Sequence, residues 1–155
     1  MTLTETGAIE REVRIGARPE TIFPFFTDPD LFARWGGAAT LDPRPGGIFR
    51  MDVDGKHIAR GEYVALEPPH RVVFTWGWED ESSPVPAGSS TVEITLTADG
   101  EHTIVRLIHR DLPGKESADS HAVGWEHYLE RLQIAAGGGD PGPDPWAGGA
   151  MPDAD

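Results

Sequence analysis

Two extended segments on either side of an adjacent proline pair constrain this chain more than any other feature: Gly61 to Leu66, then Pro68-Pro69, then Arg71 to Trp76. Proline fixes its backbone angle and offers no N–H, so neither strand can contain the pair and the chain must turn there. Val72, Phe74 and Trp76 alternate onto one face of the second segment, and large aromatics on a pleated surface need an apolar layer opposite. Val123 to Leu132 can supply that layer, because Trp125, Tyr128, Leu129 and Leu132 recur at helical spacing. A curved sheet facing a long helix can enclose an apolar cavity, and function is expected there.

The remaining segments complete this frame. Ile9 to Ile15 reads as a first strand with Val13 and Ile15 on one face. Arg18-Pro19-Glu20 opens a short helix carrying Ile22, Phe23, Phe25 and Phe26, and Pro24 should shorten or bend it. Asp28-Pro29 repeats the start signal for a second helix with Leu31, Phe32 and Trp35 buried, ended by Gly36-Gly37. From Thr40 to Arg110 the period is that of strands. Ile48 to Val53 puts Phe49, Met51 and Val53 on one face, and Asp54-Gly55 is a hairpin turn signal. His57 to Leu66 and Arg71 to Trp78 follow, then a loop from Glu79 to Ser89, then Thr91 to Ala98 and Thr103 to Arg110 around Asp99-Gly100-Glu101. Short turns between consecutive strands make an antiparallel meander. The last helix is read over His121 to Ala136, stopped by Gly137-Gly138-Gly139.

The fold class expected is therefore α+β, in a helix-grip arrangement. A curved antiparallel sheet of about six to seven strands wraps a long C-terminal helix, with two short helices after the first strand. Residues 1–136 form the domain. Residues 137–155, rich in Gly, Pro and Asp, form a flexible tail in which Trp146 is the one local anchor.

Composition narrows the partners. With 155 residues, 38% of them hydrophobic, the chain suits one domain with a core. A net charge of −13, with cations scattered singly, repels phosphate backbones and anionic membrane surfaces, so no nucleic acid and no membrane are expected as partners. The absence of cysteine excludes thiolate catalysis, disulfides and zinc–thiolate sites. Met1 to Thr6 carries no basic segment leading into an apolar run, and a cytoplasmic monomer or homodimer is the expectation.

In order and spacing the chain resembles the SRPBCC superfamily of START-like domains, in the branch named after the activator of Hsp90 ATPase. The resemblance rests on Pro19, Phe23, Thr27-Asp28-Pro29, Arg34-Trp35, Asp42-Pro43-Arg44-Pro45-Gly46-Gly47 and Gly61. It continues through Glu67 to Trp76, Thr103 to His109, and Gly124-Trp125 with Leu129 and Leu132. It implies a deep cavity between sheet and C-terminal helix that receives a hydrophobic or amphipathic small molecule. Lipid carriers, hormone receptors, aromatic polyketide cyclases and dioxygenase domains share the wider fold, so the fold does not choose a function. Relatives often carry two adjacent tryptophans where this chain has Trp35-Gly36-Gly37, a departure expected to widen that rim. Nothing in the residues themselves indicates an Hsp90-binding surface.

The ligand-contact candidates are Trp35, Phe49, Met51, Arg60, Glu62, Phe74, Trp76, Leu107, His109, His121, Trp125 and Tyr128. Arg60 and Glu62 share a phase with Val64 and Leu66; if that face is inward, the pair forms the polar end of the cavity. His109 is in phase with Thr103, Val105 and Leu107, and a histidine there could shuttle a proton. Glu62 and His109 are thus the catalytic candidates, although no triad arrangement is visible. His121 opens the last helix near the cavity entrance. His121 and His127, six residues apart, fall on different sides of a helix, and no metal or cofactor is expected. The serines at 82, 83, 89, 90, 117 and 120 are read as loop residues without a nucleophile elbow. Binding of a small hydrophobic or aromatic ligand is the first reading. A cyclase, lyase or hydrolase using the same cavity is the second, and a protein-interaction or Hsp90-activator-like regulator is the third.

Overall fold

In the computed structural model, residues 7–148 are described; the readings made of Met1 to Thr6 and of residues 149–155 fall outside them. Seven antiparallel strands form one sheet in the order β1-β7-β6-β5-β4-β3-β2. They are β1 (Ile9–Ile15), β2 (Ala38–Leu41), β3 (Ile48–Asp52), β4 (Ile58–Glu67), β5 (Arg71–Trp76), β6 (Ser90–Asp99) and β7 (His102–Arg110). β1 closes beside β7 through a seven-residue register running from Ile9 opposite His109 to Ile15 opposite Thr103. The strand after the first is thus also the far edge, and the short helices carry the chain across the sheet.

Those short helices follow their prolines. Pro19 sits in the first turn of α1 (Pro19–Ile22), and Pro24 ends its α-geometry, so Phe23–Phe26 continues as a 3₁₀ turn. Asp28 caps α2 (Pro29–Phe32), its carboxylate accepting from the Asp30 N–H at 2.9 Å. Phe25, Phe26 and Phe32 are buried by these turns, and Trp35 follows them into the core.

The long helix α3 spans Lys115–Ala136 and starts six residues before the expected His121. Its added turns are held by a Lys115–Asp119 pair four apart and by burial of Ser117 and Ala118, features that a linker reading of a Gly/Ser-rich charged stretch conceals. Ala118, His121, Ala122, Trp125, Tyr128, Leu129 and Leu132 then form one buried stripe against the sheet. Val72, Phe74, Trp76, Val92, Ile94, Leu96, Val105 and Leu107 meet them from the strands. The outer face of the sheet is ionic instead: Glu67, Arg71, Glu93 and Arg110 form a cross-strand chain of pairs at 2.8–3.0 Å.

One expectation about phase is corrected here. The register of β4 against β5 slips between Tyr63 and Ala65, a bulge that reverses which side chains face the core. Ala59 and Tyr63 therefore point inward. Arg60, with 55% of its side chain exposed, points to solvent, as do Glu62 and the half-exposed Val64. Leu66, beyond the bulge, returns to the core. At the Trp35-Gly36-Gly37 rim, a Cβ on Gly36 would strike the Phe32 ring and one on Gly37 the Asp52 carbonyl, so the glycines let the chain pack closely on α2 and β3, and both border an open groove beside Arg34 and Arg131.

The segment after α3 folds back on it. Arg131 donates to the carbonyls of Gly142 (2.9 Å) and Trp35 (3.2 Å), and the Trp146 ring stacks on His127 at 3.8 Å with 9° between planes. Asp144 accepts from His127 Nε2 and from the Trp146 N–H, each at 2.9 Å. As far as residue 148, the segment after α3 lies as a strap over one side of the helix.

Candidate functional site

Aromatic rings line the seam between sheet and helix. Tyr128 meets Trp35 edge-on at 6.5 Å, Trp35 meets Phe32 at 4.8 Å, and Phe32 meets Phe49 at 5.7 Å. Phe49 stacks on Phe74 at 4.0 Å and lies 6.0 Å from Trp76, which in turn lies 5.1 Å from Trp125. Trp125 returns the circuit to Tyr128 one turn along α3. Met51 and Leu107 are buried in the same core. Of the residues singled out from sequence, the structure gathers Trp35, Phe49, Met51, Phe74, Trp76, Leu107, His109, His121, Trp125 and Tyr128 into this interior, and leaves Arg60 and Glu62 outside it.

Hydrogen bonding in the seam can be followed donor by donor. Trp35 Nε1 donates to the Phe25 carbonyl at 2.9 Å, and Tyr63 Oη to the Phe26 carbonyl at 2.8 Å. Trp125 Nε1 donates to His109 Nδ1 at 3.0 Å, which requires the His109 proton on Nε2. That Nε2 donates to Ser90 Oγ at 2.8 Å, and Ser90 donates onward to the Trp76 carbonyl at 2.7 Å. On the helix, His121 Nδ1 donates to the Ser117 carbonyl at 2.8 Å while its Nε2 accepts from Trp78 Nε1 at 3.0 Å.

Both histidines are therefore neutral with both nitrogens in use. Burial pushes the His109 pKa well below the ordinary range, and the nearby His121 adds to it; burial also lowers His121, although its bond to the Ser117 carbonyl opposes the shift. Their rings lie 5.1 Å apart, too close for both to be charged. His121 sits well inside α3, not at its opening. Ser90 and Ser117, read as loop residues, start β6 and lie in the first turns of α3, both buried. Antiparallel register could have found Ser90: it is two residues before Val92, which pairs with His109.

Among the described residues, two buried side-chain polar atoms have no protein partner: Trp76 Nε1 and Tyr128 Oη. Their residues are 3% and 4% exposed, so solvent cannot serve them. One projects from β5 and the other from α3, on the two sides of the aromatic circuit. Burial, and next Asp144, raise the Tyr128 pKa, so the phenol keeps its proton and acts as a donor. Tyr63, also raised by burial, has its acceptor; Tyr128 does not.

Three of the open grooves among the described residues lie away from these atoms. One of about 450 Å³ is bordered by Arg60, Trp78 and the Glu79–Ala87 loop; another of about 510 Å³ lies beneath the strap beside Arg34, Asp54 and Arg131. The third, about 530 Å³, runs between β1 and α3. None is bordered by Trp76 or Tyr128. Among the described residues no three His, Cys, Asp or Glu side chains cluster in a metal-binding arrangement, and no helix is long and apolar enough to cross a membrane.

A sequence model of the family described as activator of Hsp90 ATPase homolog 1-like protein matches residues 16–137. The chain belongs to this family. Among solved structures, an AHSA1-like protein of Rhizobium etli is 41% identical, with a TM-score of 0.71, covering 90% of this chain and 87% of that one. CalU16 of Micromonospora echinospora is 29% identical with a TM-score of 0.73, covering 88% of this chain and 69% of that one. An Hsp90 activator from Plasmodium falciparum is 25% identical with a TM-score of 0.69, over 84% of this chain and 96% of that one. No curated protein sequence matches. The AHSA1-like helix-grip frame is consistent with ligand binding. The strap after residue 137 lies beyond the family match.

Proposed function

We propose that this AHSA1-like chain binds a small hydrophobic or aromatic molecule between the sheet and α3. The reading rests on the unpartnered donors Trp76 Nε1 and Tyr128 Oη, set across an aromatic seam in which the other buried tryptophan N–H groups and Tyr63 have acceptors. A buried donor left without an acceptor costs about 1–3 kcal/mol, and two in one interior is a cost that an entering acceptor offsets. Apolar rings would supply most of the contact area and the donors would fix orientation.

The geometry favours binding over acid–base turnover. A general base needs a free nitrogen or carboxylate aimed at the substrate, whereas both nitrogens of His109 are committed and Glu62 faces solvent. Trp35, Phe49, Phe74, Trp76, Trp125 and Tyr128 would surround the ligand, with entry requiring local opening of the seam. Native mass spectrometry of the protein purified from its own host tests this directly. A co-purified species of a few hundred daltons is expected. A bare protein, or one bound only to an Hsp90-type chaperone, would overturn the proposal.

A further inference from the structure

The two halves of α3 are fastened to the rest of the fold by different means. Residues 125–136 bury Trp125, Tyr128, Leu129 and Leu132, and three long-range bonds tie them down. Glu126 pairs with Arg11 at 2.9 Å, Arg131 donates to the Trp35 carbonyl at 3.2 Å, and Gln133 donates to the Arg14 carbonyl at 2.7 Å. In residues 115–124 the buried side chains are Ser117, Ala118, His121 and Ala122, all small except the imidazole. This half starts at Gly114 without a side-chain cap, and Val123 within it is half-exposed. Gly124 closes it at a position where an added Cβ would meet nothing. Its side-chain tie across to the sheet is the bond from Trp78 Nε1 to His121 Nε2 at 3.0 Å. That bond requires a neutral ring, because a second proton would occupy the accepting lone pair.

Around His121, β7 contributes the neutral His109 ring at 5.1 Å, and β5 with the residues after it contributes the rings of Trp76 and Trp78 at 6.5 and 5.9 Å. Its own helix contributes the Ser117 carbonyl at 2.8 Å, while Lys115 and Asp119 pair with each other on the exposed side and Glu116 is exposed as well. An imidazolium formed in place would sit among indole rings beside a second histidine, with its Trp78 bond broken. Trp78 also borders the open groove of about 450 Å³, together with Arg60, Glu79, Asp80 and Glu81. Arg50 and Arg60 are paired with Glu79, so Asp80 and Glu81 make that groove favourable to an emerging cation. We propose that residues 115–124 are an acid-operated gate: protonation of His121 releases them from Trp78, and the interior behind Trp76 opens toward this groove. Gly124 is the hinge, and His109 stays bonded to Trp125 behind it. The gate works with the interior empty or occupied, so it stands apart from the binding reading above.

Burial holds the His121 pKa below its ordinary value, against the bond to the Ser117 carbonyl, so the closed gate excludes a proton that the open gate accepts near pH 6.5. The closed state is fully favoured above that pH and loses ground below it. One such group raises the opening constant about 10-fold between pH 7.5 and 5.5. Amide hydrogen exchange of the whole chain, corrected for the intrinsic rate at each pH, measures this opening. Amides 119–124, past the fraying first turn, should exchange through a more frequent opening than amides 125–136, and that opening should rise about 10-fold over the two pH units. His121→Gln, which keeps an acceptor for Trp78, should flatten the rise, whereas His109→Gln should retain it. Gly124→Ala should reduce the opening about 5-fold at both pH values, the effect of replacing a glycine inside a helix where space allows. Wild-type exchange tests the gate without any variant: equal protection of amides 119–124 and 125–136 at both pH values would overturn it. A rise that persists in His121→Gln, or that vanishes in His109→Gln, would overturn His121 as its trigger.

Discussion

Acid should weaken this fold before any carboxylate is protonated, and the buried histidine pair sets the amount. His109 is fully buried, its Nδ1 holds the Trp125 N–H and its Nε2–H holds Ser90, so a second ring proton has nowhere to go without breaking the Trp125 bond. Burial and the neighbouring His121 hold its native pKa well below the ordinary 6.5. The unfolded chain binds the proton near that ordinary value and the native state does not, so the stabilising contribution is complete above it and is lost as pH falls below it. At pH 5.5, one unit lower, the loss for such a group is about 1.4 kcal/mol relative to pH 7.5. His121, also lowered, adds up to a similar amount, for a total of about 1.4–2.8 kcal/mol. Glu79 and Glu93 are lowered by bonds to Arg50 and Arg71, and the Asp54 pKa falls to about 2 through its bonds to His57 and Lys56. Carboxylate stability of that kind persists until pH falls below about 4.5, outside this window. Urea unfolding at pH 7.5, 6.5 and 5.5 measures the effect, and the difference between wild type and His109→Gln cancels the titrating groups not coupled to His109. The variant should lose about 1.4 kcal/mol less than wild type over that interval. Equal pH dependence in the two proteins would refute the assignment of His109 as a neutral, doubly bonded group.

Four further substitutions probe this interior and the strap beside it. Tyr128→Phe deletes an unsatisfied hydroxyl, so its unfolding free energy from urea titration should stay level or rise by up to about 1 kcal/mol, whereas that of Tyr63→Phe, which breaks the bond to Phe26, should fall by about 1–2 kcal/mol. Trp125→Phe leaves His109 Nδ1 without its donor and removes ring area beside Trp76, and equilibrium unfolding should show a loss of about 2–3 kcal/mol. Trp146→Ala removes the stack on His127; stability should fall by roughly 1 kcal/mol, and limited proteolysis should shift to the 140–148 segment. An unchanged cleavage pattern in that variant would mean that the strap is held by Arg131 and Asp144 without the ring.

Several site residues were readable from period alone. Phe74 and Trp76 on β5, Leu107 and His109 on β7, and Trp125 and Tyr128 on α3 each announce their face by spacing of two or of three to four residues. Arg60 and Glu62 went to the wrong side because a bulge at residue 64 adds one residue to β4, and the hydrophobicity of Val64 gives no sign of it. The early turns of α3 were hidden because Ser117 and Ala118 carry no strong apolar period, although both are buried by tertiary packing. Asp144 and Trp146 are in a stretch whose composition reads as disorder, and only Arg131 and His127, on the helix they dock against, make it a strap.

The chain's own pattern determined the layers: proline turns between alternating strands force a meander, and one amphipathic helix must cover its aromatic face. It also determined that the seam would be lined by rings. Tertiary structure alone decided which polar atoms in that seam have partners, because a hydrogen bond depends on a few tenths of an ångström and on direction between residues far apart in sequence. His109 and Trp125 found each other, as did His121 and Trp78; Trp76 and Tyr128 found no acceptor, and no spacing rule distinguishes the two outcomes.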